Sequence, residues 1–209
     1  MISTMAAVSP SQDILVQCVV VNKLAAAVRS YTNELISARE GRPLSTVAWL
    51  ARCLLELLIW TEFCVKSPQN ATNFAIDAVR DCDDLTKRFA TMDLEGHPET
   101  ISSLKDFGDI RTELEADLLP GELDKRYKDV RTAAQDIGKL SFFEVGFKVL
   151  SKYAHPTAMI IMIEPIQSER SILIRDTIIG QGLEMAKETA TIVKAFLKPY
   201  IDSPNPAND

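Results

Sequence analysis

Histidine, tryptophan and glycine are scarce in this chain: two, two and eight among 209 residues. No G-x-x-x-x-G-K-[ST] stretch is present, which excludes the glycine-rich phosphate loop, and no G-x-S-x-G elbow offers a hydrolase serine. The four cysteines, Cys18, Cys53, Cys64 and Cys82, form no C-x-x-C pair. A zinc ribbon or thioredoxin-like redox motif is therefore not expected. Each cysteine falls on the apolar side of a helical pattern, which reads as free, buried thiols in a reducing, cytoplasmic setting. Positive charge is also in short supply. Lys and Arg number 23 against 29 Asp and Glu, for a net charge of −6. That balance argues against strong DNA binding by a general electrostatic coat.

A long uninterrupted apolar run is missing as well. The stretch 47–65 is long enough to span a bilayer, but Arg52, Glu56 and Glu62 break it. Three central charges cost roughly 8–10 kcal/mol on an insertion scale, and the nine large aliphatic and Phe residues return only about 3–5 kcal/mol. A core helix is expected there and no membrane partner. The opening MISTMAAVSPSQD lacks a basic start followed by an apolar run, so no secretory signal is expected.

What is present is helical periodicity. With 46% hydrophobic and 25% charged residues the composition is that of a globular chain. Residues 10–39 put Ile14, Cys18, Val21, Ala25, Val28 and Leu35 on one stripe, with Ser9 and Pro10 as the start signal and Gly41-Arg42-Pro43 as the stop. Residues 44–66 are apolar on more than one side, which places that helix at the centre of a bundle. A third helix over 69–92 has the stripe Ala75, Ala78, Cys82, Leu85, Phe89 and Met92, and Gly96-His97-Pro98 closes it. Two weaker helices are expected over 99–118 and 122–140, split at Pro120-Gly121, then a compact one over 141–154 carrying Phe143, Phe147 and Leu150. His155-Pro156 stops this helix, because a residue before proline is pushed out of helical angles. The apolar residues 157–163 fit a strand or a helical turn equally well. A last helix over 168–198 uses Ile172, Ile179, Leu183, Ala186, Ala190, Val193 and Leu197, with Pro199 as its stop; Gly180 and Gly182 inside it suggest close packing or a kink. The expectation is an all-α fold: a single elaborated helical bundle of six to seven helices around a four-helix core, with a flexible N-terminus (1–9), one helical domain (10–199) and a flexible tail (200–209).

Three constellations carry chemistry. In Ser151-Lys152-Tyr153-Ala154-His155, Ser151 and His155 are four apart and share a helix face. A histidine there, near Lys152 and the Tyr153 phenol, suits acid/base work on an RNA phosphodiester. The alternative is that His155 caps its own helix end with a ring N–H while Ser151 bonds back to the backbone. Arg52 and Glu56, also four apart, sit inside the most apolar helix. Charges in such a place need partners, either as an ion pair that fixes helix register or as a pocket in which Arg52 offers a planar fork to an anion and Glu56 orients Arg52 or His155. Asp77, Asp81 and Asp84, with Asp83, are spaced like carboxylates for magnesium, but Arg80, Lys87 and Arg88 interleave as in a salt-paired, solvated face. No metal and no cofactor is expected. His97 reads as a solvated loop residue.

Arg52-x-x-x-Glu56 in an early helix and Leu150-Ser151-x-x-x-His155-Pro156 at the end of a later one resemble an uncharacterised family of helical bacterial proteins that is itself similar to the HEPN superfamily. The likeness covers about residues 45–165. It implies a mostly helical homodimer whose facing protomers share a polar cleft, with RNA or a nucleotide as the ligand, and in some members metal-independent ribonuclease activity in defence or toxin–antitoxin systems. Those nucleases carry an arginine five residues before the histidine. Here Leu150 holds that place, so Arg52 would have to supply the charge from another helix. Taken together, the expectation is a homodimeric interaction or ligand-binding module with a polar pocket around Arg52, Glu56 and His155. The alternative is an HEPN-like ribonuclease using His155, with Arg52 or Lys152 on the phosphate and Ser151 or Tyr153 as auxiliary donors.

Overall fold

The computed structural model describes residues 11–39, 41–90, 108–109, 111–112, 128–155, 157, 161 and 169–201. Among them are six helices and no strand: α1 (Gln12–Ser37), α2 (Leu44–Lys66), α3 (Pro68–Ala90), α4 (Val130–Asp136), α5 (Leu140–Ala154) and α6 (Glu169–Ile201). The fold is an all-α bundle.

α2 is the axle. It packs against all five other helices, as its apolar character on several sides requires. Leu50, Ala51, Leu54, Leu55, Leu58, Ile59 and Phe63 are all almost wholly sealed from solvent. Pro43 starts this helix and Ser67-Pro68 ends it, so both boundaries follow from proline geometry. α1 and α2 are each long and apolar enough to cross a membrane by length and composition, and more than half of the apolar window of α2 is buried against its neighbours. Gln17 of α1, buried, donates to the carbonyls of Cys64 and Val65 at 2.8 and 3.2 Å. It thereby satisfies two acceptors that the last turn of α2 would otherwise leave unpaired.

Two glycines set how closely α6 approaches α1 and α2, and how closely α5 approaches α2. A Cβ built at Gly182 would lie 2.5 Å from Leu35 Cδ2, and one at Gly146 would lie 3.0 Å from Leu55 Cδ2. The expectation of close packing around Gly180 and Gly182 is thus met at Gly182, while Gly180 faces open space.

Several expectations need correction. The buried stripe of α1 is Gln17, Val20, Val21, Leu24, Val28 and Leu35; Cys18 and Ala25 lie at its edge because α1 touches α2, α3 and α6 and so buries a wide face. In α3 the inner side is Ala71, Thr72, Ile76, Val79 and Cys82, and Leu85 is exposed. No helix runs through 137–139: Gly138 takes φ 77 and breaks the chain between α4 and α5, a conformation open to glycine without steric cost. Pro199 does not stop α6, which continues to Ile201. In the 157–163 segment the N–H of Ile161 bonds the carbonyl of Thr157 at 3.0 Å, a helical spacing, and Ile161 is 66% exposed rather than buried. Ser9, Pro10, Met92, His97, Pro120 and Gly121 lie outside the described residues. All four cysteines are free; Cys64 and Cys82 are buried, Cys18 and Cys53 half-buried.

Candidate functional site

The least buried face of α2 is Trp49, Arg52, Cys53, Glu56 and Trp60, a set at three- and four-residue steps. α5 runs along one side of it. Arg52 and Glu56 are a turn apart, and the Arg52 Nε–H donates to Glu56 Oε1 at 3.0 Å. Their side chains keep 24% and 32% of their exposure, so the pair is partly desolvated without being sealed in. The flat guanidinium lies over the ring of Phe147 from α5, 4.2 Å from its centroid, a cation–π contact. Its Nη1 reaches His155 Nε2 at 3.3 Å across 103 residues of sequence. For Arg52 to donate in that contact the Nε2 must carry a lone pair, with the imidazole proton on Nδ1.

His155 can reach Arg52 because of how α5 ends. The backbone leaves helical angles at His155 (φ −105, ψ 153), and the His155 N–H bonds the carbonyl of Ser151 at 3.3 Å. The extended backbone swings the imidazole out of the helix line and into solvent. This outcome replaces the expected cap. His155 closes its helix with its backbone N–H, while its ring serves the contact to α2.

The other residues expected here divide. Ser151 Oγ is buried without a hydrogen-bond partner, so it neither bonds back to the chain nor faces a ligand at the surface. Tyr153 is half-buried against the core. Lys152 is exposed, and its carbonyl accepts from Thr157 Oγ1 at 3.0 Å. Leu150 is 2% exposed, within the core, so the cation beside His155 comes from α2. Two residues were not anticipated. Phe147 supports Arg52, and Tyr31 of α1 stacks edge-on against Trp49 at 5.8 Å. Burial raises the Tyr31 phenol, and the nearby Cys53, Glu34 and Glu56 push it further in the same direction. Burial, then Glu56, raises the Cys53 thiol to about 11, against the pull of Arg52; it is no ready nucleophile at neutral pH. A cross-helix register, which no single-helix pattern contains, is what brings Tyr31 and Phe147 in.

Below Glu56 the same face of α2 opens into a cavity of about 250 Å³, lined by Glu56, Trp60, Phe74, Asp77, Asp81 and Lys128 among others. Asp77 is buried, and burial raises its carboxyl to about 6, although the Lys128 backbone N–H and Arg80 pull it down. Arg80 pairs with Asp77 at 3.7 Å, Arg111 with Asp83 at 2.6 Å and Arg88 with Asp84 at 2.6 Å. The aspartates are thus largely engaged by arginines, and no cluster of three or more His, Cys, Asp or Glu suited to a metal ion occurs among the described residues.

Taken as chemistry, the upper site is a guanidinium held flat by Phe147, oriented by Glu56 and touching an exposed imidazole. Its donors suit an anion bound at the surface. The chain matches no protein-family model, no curated protein and no solved structure.

Proposed function

We propose that the protein is a helical ligand-binding or interaction module, homodimeric, that receives an anionic group of RNA or a nucleotide at the Arg52–His155 edge. The observation that carries this reading is the Arg52 side chain: stacked on Phe147 at 4.2 Å, bonded to Glu56 through Nε, and in contact with His155 through Nη1. An arginine fixed in this way loses little freedom on binding a phosphate, and an exposed imidazole beside it adds a second nitrogen. A dimer is supported by the outer stripe of α5, where Phe142, Val145 and Val149 are exposed at helical spacing next to the site.

Metal-independent ribonuclease activity is the second reading, favoured by the 3.3 Å contact between guanidinium and imidazole. It is weaker because the expected helpers are missing: Ser151 Oγ is buried, Leu150 replaces the arginine of the nucleases, and Arg52 is already shared with Glu56. The test is a labelled single-stranded RNA followed with EDTA present. Binding that Arg52→Ala and His155→Ala both weaken, with the RNA left intact, supports the binding module. Cleavage abolished by His155→Ala supports the nuclease, and indifference of both properties to both substitutions sinks either reading. Light scattering tests the dimer, and a monomer that Val145→Asp leaves unchanged contradicts it.

A further inference from the structure

A second concave surface lies on the α1/α6 side of the bundle, apart from the Arg52 edge. A groove open to solvent runs between these two helices and encloses about 550 Å³. Its floor is apolar: Val28, Ala186 and Val193 are buried, and Ala25 and Leu183 flank them. The Thr32 and Thr189 hydroxyls are turned to the carbonyls of Val28 and Met185, at 2.6 and 2.8 Å, so both already have acceptors inside their own helices. The edges are cationic. Arg29 stands on the α1 edge, Lys187 and Lys194 on the α6 edge, all exposed, and among the described residues no carboxylate lines the groove. Lys187 pairs with Glu184, itself exposed, at 3.6 Å, and such a pair is worth little in water.

We propose that this groove docks an acidic amphipathic helix of a partner protein. Three features select that occupant. The lined stretches, Ala25 to Asn33 and Leu183 to Lys194, are about 12 and 16 Å long at helical rise, two to three turns of an incoming helix. Ala25, Ala186 and Ala190 are small enough to let a third helix axis approach to about 8–10 Å. Lys187 and Lys194 are two turns apart on one edge and Arg29 faces them from the other, so the incoming helix needs leucine-like residues below and glutamates on both flanks. In a chain of net charge −6, a groove whose described lining holds three cations and no acid is a local reversal of sign, and that reversal decides for an acidic partner over a basic one.

The test uses the full-length protein and two fluorescein-labelled helical peptides that share one leucine face, one flanked by Glu and the other by Lys. The acidic peptide is expected to bind, more weakly as ionic strength rises, and the basic one not to bind. The surface charge reversals R29E, K187E and K194E together are expected to weaken the acidic peptide roughly tenfold or more and to turn the preference toward the basic one. Ala190→Trp, at an exposed position, is expected to block the groove without disturbing the core. Equal binding of both peptides, or acidic binding indifferent to the triple reversal, overturns the proposal. So does saturable binding of dodecanoate with no binding of the acidic peptide, which identifies a small-amphiphile site, or a drop in molecular mass with Ala190→Trp alone, which identifies a second copy as the occupant.

Discussion

Gly180 and Gly182 stand two residues apart in α6, and substitution by alanine is expected to move stability in opposite directions at the two positions. Alanine in place of glycine within a helix gains about 0.5–1 kcal/mol from reduced freedom of the unfolded chain and better helix propensity. At Gly180 a methyl group meets nothing within 4 Å, so the whole gain is retained. At Gly182 it lands 2.5 Å from Leu35 Cδ2, with Leu54 Cδ1 and Ala51 Cβ at 3.5 and 3.6 Å. Leu35, Leu54 and Ala51 are all fully buried, so the Leu35 methyl can retreat only by pushing packed neighbours. Overpacking of that kind costs about 1–3 kcal/mol, which leaves a net loss of about 1 kcal/mol. The two variants should differ by about 2 kcal/mol, or roughly 4–8 °C in Tm for a chain of this size. Urea and thermal unfolding followed by circular dichroism measure the difference. If both substitutions raise stability equally, α6 does not press on α1 and α2 as described.

Other outcomes follow from the same structure. Leu58→Ala, at the fully buried centre of α2, should lose about 2–5 kcal/mol in urea unfolding. Asp77 takes up its proton at about 6 in the folded chain, above the 3.8 of a free carboxyl. The folded state therefore binds more protons between those values, so stability falls as pH rises from about 4 to about 6 and then levels off, by about 3 kcal/mol at most. Asp77→Asn should flatten that slope, and an unchanged slope means that the carboxyl is not held in an apolar setting. Burial pushes the Cys64 thiol far up, so Ellman's reagent should reach it only after unfolding, while Cys18 reacts in the native protein. Arg52→Ala should lose about 1–2 kcal/mol through its ion pair and its stacking on Phe147, and Arg52→Lys should recover only part, since an ammonium cannot stack and fork at once.

Where proline punctuates the chain, the structure could be read directly. Pro43 and Ser67-Pro68 bracket α2 to the residue, and His155-Pro156 marks the end of α5. The centrality of α2 was legible because a helix apolar on several sides has to be surrounded. Within the 122–140 stretch the expected helix is present over Val130–Asp136, but its weak amphipathic pattern hides the break at 137–139, since nothing local distinguishes Gly138, at positive φ, from a tolerated helical glycine. The stripes of α1 and α3 were legible in part: Val21, Val28, Leu35 and Cys82 are buried as expected, whereas Cys18, Ala25, Ala75 and Ala78 lie one position off, since each helix faces more than one neighbour and the buried arc is wider than a single row. At the site, two charges in an apolar helix demanded a partner, and His155 emerged as one because it is polar and ends a helix. Phe147 and Tyr31 could not be foreseen: their part depends on how α5 and α1 lie along α2, a property of packing between helices.

The imidazole of His155 is itself the most direct probe. With only two histidines in the chain, 15N-resolved NMR can follow His155 during a titration with a short RNA oligonucleotide, with the His97 signal as internal reference. Saturable displacement of the His155 signal, lost in Arg52→Ala while His97 stays still, is the result predicted for an anion held jointly by guanidinium and imidazole. A His155 signal that does not move, or one that moves equally without Arg52, contradicts it.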